Sequence, residues 1–151
     1  MGKRLADAAF KEKVRWIDCH EVAPDLWVGS KPLPGQYAFD VIVLCASDYQ
    51  PDASDFPGVD VIHAPFDDTY QPTDDDVTMA MRAAHTVIKH LKAGKRVLVT
   101  CWAGHNRSAL VAALAMKRKW KADAATVVQQ IRAAREHTLH NKSFVKILEL
   151  W

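Results

Sequence analysis

The sequence predicts an α/β fold, a three-layer sandwich in which a central, mostly parallel sheet is flanked by helices. Short apolar runs rich in β-branched residues alternate with longer stretches of helical periodicity, as in chains that build parallel sheets. One run, Val41–Cys45, is apolar at every position, which is typical of a strand covered on both faces. The stretch Ser108–Trp120 is apolar over most of its length and predicts a buried central helix.

The N-terminal half of the chain predicts one helix and three strands. Residues 3–15 mix basic positions with apolar ones at helical spacing, which favours an amphipathic cap helix within residues 1–15. Strands are expected at Leu26–Gly29 and Val41–Cys45, and a third at Val59–Ile62. Residues 65–68 are expected to open a polar loop.

The C-terminal half predicts one further strand and four helices. Thr73 precedes three aspartates, and a hydroxyl cap followed by acids facing the positive end of the helix dipole indicates a helix start. This helix is expected to run to Lys92, with Gly94 at its C-terminal cap. The remaining predicted elements are the strand Arg96–Thr100 and the helices Ser108–Trp120, Asp123–Glu136 and Ser143–Leu150.

The length and composition favour a soluble protein with a single domain, residues 1–151. The formal charge of +2 argues against a nucleic-acid or membrane partner, and no apolar run approaches the roughly 20 residues that span a bilayer. Three widely spaced cysteines do not form a disulfide framework, so we expect a cytoplasmic location. The seven histidines lack metal-ligand spacing, and no metal or other cofactor is expected.

The most informative motif surrounds Cys101, which ends an apolar strand. Arg107 and Ser108 follow it in a Cys-x5-Arg-Ser pattern that leads into the buried helix. The bare Cys-x5-Arg pattern would arise by chance in roughly one such chain in six, so its context carries the interpretation. A buried structural cysteine is the alternative, but it leaves the strand, loop and helix around the motif unexplained.

This arrangement of residues predicts a cysteine-dependent phosphatase. A helix N-terminus, backbone N–H groups and a cation stabilise a thiolate and also bind phosphate oxygens. Cys101 would attack phosphorus, Arg107 would hold two oxygens in a bidentate fork, and Ser108 would donate a hydrogen bond to the sulfur. Water would hydrolyse the phosphocysteine intermediate. The expected phosphate-binding loop comprises Trp102, Ala103, Gly104, His105, Asn106 and Arg107.

The loop resembles the His-Cys-x-x-Gly-x-x-Arg-Ser/Thr signature of the protein tyrosine phosphatase superfamily. The chain length and the late position of the loop resemble the small dual-specificity branch, and the resemblance implies that branch's fold and activity. Residues 26–30 are similar to its early Leu-Tyr-Leu-Gly-Ser strand, and residues 141–144 resemble its late Asn-x-x-Phe. One departure is Thr100, where the family usually has a histidine that helps to set the acidity of the thiol.

The resemblance also implies a general acid, which in this family is an aspartate about thirty residues before the cysteine. Asp67 and Asp68 lie at about that distance before Cys101. Residues 65–68 resemble the family's Pro-x-x-Asp, which selects Asp68 as the proton donor to the leaving group. Asp67 is the alternative donor, and a solvated polar loop without a catalytic role is the other alternative.

Cys45 is a candidate redox partner of the nucleophile. Leu44-Cys45-Ala46 resembles a Leu-Cys-Ala segment of phosphoinositide phosphatases, in which the cysteine forms a disulfide with the nucleophile. The resemblance implies a reversible Cys45–Cys101 bond that protects against over-oxidation. An inert core thiol is the alternative, and Cys19 is expected to be inert.

The leading hypothesis is therefore a metal-independent dual-specificity phosphatase acting on a phosphorylated protein or peptide. No segment resembles the phosphotyrosine-recognition loop of classical tyrosine phosphatases, so a shallow pocket should accept phosphotyrosine, phosphoserine and phosphothreonine. An RNA 5′-triphosphatase is the alternative, because those relatives carry Asn before the arginine, as Asn106 does here. A phosphoinositide phosphatase and a phosphate-binding module without turnover are further alternatives.

Overall fold

A five-stranded sheet runs through the computed structural model, which describes residues 5–35 and 37–151. The strand order is β1-β2-β5-β3-β4, in which β1 is antiparallel to β2 and the other neighbours are parallel. The strands are β1 (Cys19–Ala23), β2 (Leu26–Gly29), β3 (Val41–Ala46), β4 (Asp60–Phe66) and β5 (Val97–Thr100).

Five α-helices in the described part of the chain cover the two faces of the sheet. They are α1 (Asp7–Val14), α2 (Asp74–Lys92), α3 (Arg107–Lys119), α4 (Ala124–Ala134) and α5 (Lys142–Leu150), with a 3-10 turn at Ala53–Asp55. Side chains of α2 to α5 form one core cluster with Val41 and Val43, whereas Ile42 and Leu44 pack with Phe10 of α1. Because successive β3 side chains enter opposite cores, the predicted three-layer sandwich is confirmed.

The helix predicted after Thr73 is confirmed and shows how local sequence sets its start. The Thr73 side chain accepts a hydrogen bond from the Asp76 backbone N–H, and the Asp76 carboxylate accepts one from the Thr73 N–H. This reciprocal pair satisfies two donors that a helix start otherwise leaves open. The helix ends at Lys92, and Gly94 beyond it adopts a φ of 77°, as a residue past a helix end often does.

The structure corrects one prediction along the sheet, adds one strand that was not predicted, and shortens the predicted cap helix. Residues 65 and 66 were expected in a loop but belong to β4, an edge strand, where proline is tolerated because its missing N–H need not pair. β1 was not predicted. The cap helix spans only Asp7–Val14 of the expected residues 3–15, and residues 1–4 lie outside the described part of the chain.

The parallel strands bring three distant segments to one edge of the sheet. Their carboxyl ends are followed by Asp48 after β3, by the β4–α2 loop (residues 67–73) and by the β5–α3 loop (residues 101–106). Sites in open α/β sheets form at this edge. No helix within residues 5–35 and 37–151 is long and apolar enough to cross a bilayer.

Candidate active site

Cys101 directly follows β5 and stands at the start of the loop that enters α3. Its side chain is 4% exposed, and its sulfur lies 3.2 Å from the hydroxyl of Ser108, which is completely buried. α3 begins at Arg107, so the β5–α3 loop precedes the positive end of that helix's dipole. The structure therefore places the Cys101 thiol directly before a loop that leads into the N-terminus of a helix.

Arg107 is the first residue of α3 and directly follows the same loop. Its Nη1 donates to Asp48 Oδ1 at 3.0 Å and to the Phe66 carbonyl at 3.3 Å, and the residue is 8% exposed. Its Nε is buried and has no hydrogen-bond partner within the described residues. A buried donor without an acceptor is costly, so the guanidinium is ready to receive an oxyanion.

Asp68 and Asp67 occupy different positions although they are adjacent in the chain. Asp68 Oδ1 accepts from Asn141 Nδ2 at 2.9 Å, and Oδ2 accepts from Asn106 Nδ2 at 3.0 Å. Asp67 Oδ1 instead accepts from the Ser47 hydroxyl at 2.5 Å. Of the two carboxylates, Asp68 faces the loop of Cys101.

These side chains surround one surface depression of about 280 Å³. It contains most of the residues singled out from the sequence and two others, Asp48 and His140. The lining residues are Asp48, Asp68, Cys101, Trp102, Ala103, His105, Asn106, Arg107 and His140. Gly104, Ser108 and Cys45 are not among them, and Ser108 approaches the sulfur from within the core.

Gly104 shapes the loop through a conformation that other residues rarely adopt. Its φ is 71°, and a Cβ at this position would lie 2.5 Å from the carbonyl carbon of Gly29 and 2.6 Å from Arg135 Nη2. The loop therefore rests against the end of β2, and glycine is needed for both its backbone angle and its lack of a side chain.

Arg135, which the sequence did not single out, holds this loop from the protein side. Its Nε donates to the Gly104 carbonyl at 2.8 Å and its Nη2 to the Ala103 carbonyl at 3.0 Å. Both terminal nitrogens also donate to the Asp18 carboxylate at 3.0 Å. Hydrogen bonding to Arg135 lowers the pKa of Asp18 below its ordinary value of 3.8.

Aromatic and imidazole side chains lie at the rim of the depression. Trp102 is 47% exposed, with Lys31 Nζ at 4.1 Å from its ring centre and the ring of Tyr49 perpendicular to it at 6.2 Å. Burial lowers the pKa of His105 below 6.5, with Arg135 adding to the effect, and both favour the uncharged ring. His140 Nε2 lies 3.1 Å from Asn106 Nδ2.

Cys45 and Cys101 are both free thiols; Cys45 lies in β3, and Cys101 directly follows the neighbouring strand β5. Leu44 of β3 pairs with Thr100 of β5, and each cysteine is the next residue after one member of this last pair. Cys45 is completely buried, and this burial raises its pKa well above 9.0, with Cys101 adding to the rise. No group of three or more His, Cys, Asp or Glu side chains within residues 5–35 and 37–151 is arranged to hold a metal ion.

Comparisons with solved structures show the same fold. Human DUSP28 is 22% identical, with a TM-score of 0.73, and the match covers 87% of this chain and 90% of that one. A mouse putative dual specificity phosphatase complexed with zinc tungstate is 23% identical, with a TM-score of 0.76 and coverage of 87% and 84%. Tk-PTP in its active form is 18% identical, with a TM-score of 0.76 and coverage of 89% and 96%.

No curated protein matches the sequence. The family model of the dual specificity phosphatase catalytic domain matches residues 28–151. That range includes the end of β2, both loops that meet at the depression, and every helix from α2 to α5. The chain therefore belongs to the dual specificity phosphatases, and it is a cysteine-dependent protein phosphatase.

Proposed function

We propose that the protein hydrolyses phosphate monoesters of phosphorylated proteins or peptides through a phosphocysteine intermediate at Cys101. The observation that carries this proposal is the depression shared by the Cys101 sulfur, the Arg107 guanidinium and the Asp68 carboxylate. Nucleophile, anion clamp and proton donor are the three groups that such a displacement requires.

The proposed reaction has two halves. In the first, the Cys101 thiolate attacks phosphorus, the bond to the leaving oxygen breaks, and Asp68 gives its proton to that oxygen. In the second, Asp68 accepts a proton from water, the water oxygen attacks phosphorus, and the S–P bond breaks. The Ser108 hydroxyl at 3.2 Å donates to the departing thiolate, and the Arg107 Nε–H donates to the transferring phosphoryl group.

The rim supports both aryl and alkyl phosphate substrates. Trp102 offers a half-exposed ring against which the phenol of phosphotyrosine can pack. Cys101 and Arg107, which also line the depression, would contact only the phosphate group and so would not select between phenol and alkyl leaving groups. Because the proposed nucleophile must stay reduced, we expect a reducing compartment such as the cytoplasm.

Asn106 is the residue that favours the RNA 5′-triphosphatase alternative, and its contacts support the monoester reaction instead. Its side-chain amide donates to Asp68, a proton donor that a phosphate leaving group does not need. Phosphoinositides carry monoesters as well and remain an alternative substrate. A phosphate-binding module without turnover is disfavoured by the presence of nucleophile, clamp and acid together in one depression.

We also propose that Cys45 is the redox partner of Cys101. Cys45 and Cys101 each follow one member of the Leu44–Thr100 pair, and paired strands lie roughly 5 Å apart, a separation that a disulfide can span. The burial-raised pKa of Cys45 keeps this thiol protonated, so Cys101 would be oxidised first and Cys45 would then react with it.

Hydrolysis of 4-nitrophenyl phosphate with EDTA present tests the proposed function. We expect metal-independent turnover that Cys101→Ser abolishes and Cys19→Ser leaves intact. Asp68→Ala should lower kcat by about a hundredfold, with Asp67→Ala as its matched control. If the wild type binds phosphopeptides, phosphoinositides or triphosphate-ended RNA and releases phosphate from none of them, the chain is a binding module. Phosphate release from triphosphate-ended RNA alone would favour the RNA 5′-triphosphatase alternative.

A further inference from the structure

Two buried carboxamides hold the carboxylate of Asp68, one at each oxygen. Asn141 Nδ2 donates to Oδ1 at 2.9 Å and Asn106 Nδ2 donates to Oδ2 at 3.0 Å. Asn106 is 3% exposed and Asn141 is 1% exposed. Both oxygens of the carboxylate are thus held by donors that are themselves packed in the core.

The other contacts of the two asparagines fix which atom of each amide faces Asp68. Asn106 Oδ1 accepts from the Asn141 backbone N–H at 3.0 Å, which leaves its Nδ2 toward the carboxylate. Asn141 Oδ1 caps α5 by accepting from the N–H groups of Ser143 at 3.0 Å and Phe144 at 3.2 Å. Both amides therefore present donors, which are the groups a carboxylate requires.

The start of α5 holds the β4–α2 loop at three consecutive residues. Besides its bond to Asp68, Asn141 Nδ2 donates to the Thr69 carbonyl at 2.9 Å. The Ser143 hydroxyl donates to the Tyr70 carbonyl at 2.6 Å. The loop follows an edge strand, so α5 supplies an anchor that the sheet does not.

We propose that Asn141 is a positioning residue for the general acid and that it acts together with Asn106. This inference rests on the proposed function, in which Asp68 donates and then accepts a proton. A hydrogen bond from an amide is stronger to a carboxylate than to a neutral acid, so both bonds strengthen as the proton moves to the leaving oxygen. In the second half the same bonds orient the carboxylate toward the attacking water.

Asn141→Ser separates this role from helix capping. Serine caps a helix about as well as asparagine but lacks the amide that reaches Asp68. Asp123 caps α4 by accepting from the Thr126 N–H at 2.8 Å, so Asp123→Ser makes a similar change at a cap outside the depression. It is the matched control.

The test compares two substrates. Phenolate needs a proton to leave phenyl phosphate, whereas 4-nitrophenolate is a weaker base and leaves 4-nitrophenyl phosphate with less help from a general acid. We expect Asn141→Ser to lower kcat about tenfold for phenyl phosphate and clearly less for 4-nitrophenyl phosphate. In an Asp68→Ala background the same change should cost nothing further. Amide hydrogen exchange should become faster in residues 67–71 and stay unchanged in α5, and Asp123→Ser should show none of these effects.

Two outcomes would overturn the role of Asn141 while leaving the proposed function in place. One is an equal loss of kcat for both phosphates, and the other is an undiminished loss in the Asp68→Ala background. Either would mean that Asn141 supports the fold and does not act through the acid. Absence of turnover in the wild type would overturn the proposed function as well, and it would be visible before any variant is made.

Discussion

The hydroxyl of Ser108 lies 3.2 Å from the sulfur of Cys101, and both residues are buried, with Cys101 also lining the depression. A thiolate has no proton and can only accept a hydrogen bond, so the Ser108 hydroxyl must donate the hydrogen bond to the ionised sulfur. This contact is remade at the end of each proposed catalytic cycle, when the phosphorylated sulfur becomes a leaving group.

Ser108→Ala should therefore slow the hydrolysis of the phosphocysteine more than its formation. A hydrogen bond to a charged group contributes about 1.5–3 kcal/mol, so kcat should fall by about ten- to a hundredfold. Rapid-mixing measurements with 4-nitrophenyl phosphate should show a burst of nitrophenol followed by slow turnover. The exposed Ser54→Ala serves as control, and a uniform slowing without a burst would contradict the assigned role.

Gly104→Ala should destabilise the protein more than an alanine at another glycine with a similar positive φ, because the added Cβ would also clash with the Gly29 backbone. Gly58 has a φ of 77° with nothing within 4 Å of an added Cβ, whereas an added Cβ at Gly104 would lie 2.5 Å from the Gly29 backbone. We expect Gly58→Ala to cost about 1–2 kcal/mol and Gly104→Ala about 2–5 kcal/mol of unfolding free energy.

Urea denaturation of the two glycine variants, with phosphate affinity measured in parallel, gives the comparison. Only Gly104→Ala should weaken phosphate binding. Equal destabilisation with unchanged phosphate affinity would mean that the loop tolerates displacement from β2.

The ion pair between Asp18 and Arg135 should make stability depend on pH in the acid range. The pKa of Asp18 is lowered in the folded state by hydrogen bonding to Arg135, so its contribution is present above the unfolded value of 3.8. That contribution is lost as the pH falls through the lower folded value. Asp18→Asn should destabilise the protein at about pH 7, and the difference from the wild type should shrink toward about pH 3.

Equilibrium unfolding at the two pH values, with the exposed Asp52→Asn as control, measures this difference. A destabilisation by Asp18→Asn that is the same at both would contradict an ionic contribution. Because the Asp18 side chain is 59% exposed, solvent screening moderates the effect.

Trp102→Ala should weaken binding of aryl phosphates in particular. An aromatic pair contributes about 0.5–1.5 kcal/mol, so KM should rise by about two- to twelvefold for a phosphotyrosine peptide. A phosphoserine peptide of the same sequence should be affected little. Trp120→Ala, at the exposed far end of α3, is the matched control. An equal rise in KM for both peptides would show that the indole does not pack on the substrate ring.

Hydrogen peroxide should link Cys45 to Cys101. The Cys101 thiolate is oxidised to a sulfenic acid as peroxide is reduced to water, and the Cys45 thiol then displaces a second water to form the disulfide. Dithiothreitol should restore activity to the wild type and to Cys19→Ser but not to Cys45→Ser. Peptide mapping of the oxidised protein that finds no Cys45–Cys101 linkage would end this proposal.

The predictable part of the site is the part that is contiguous in sequence. The strand, loop and helix around Cys101 were predictable from apolar runs and from the glycine and arginine between them. The starts of α2 and α4 were predictable from the cap residues Thr73 and Asp123. These patterns reflect local physics, and the structure confirms the elements they predict. Asp68 was selected by family resemblance, and its role stays a prediction.

What was missed depends on contacts between residues far apart in the chain. Arg135 and Asp18 are 117 residues apart, and an isolated arginine or aspartate has no periodicity that marks it. β1 was missed because it is a short edge strand with only Val22 and Ala23 buried, so it lacks an apolar run. Pro65 was read as a loop signal because its tolerance in β4 depends on where the sheet ends.

α3 is buried along ten consecutive residues, from Arg107 to Met116. Because this part of α3 has no solvent-exposed face, each substitution in it changes a close-packed contact and lowers the free energy of unfolding. Exposed side chains at the rim, such as Trp102, are under less constraint. Substrate preference in this chain can therefore diverge through exposed rim residues while α3 stays fixed, and a redesign of specificity should start at the rim.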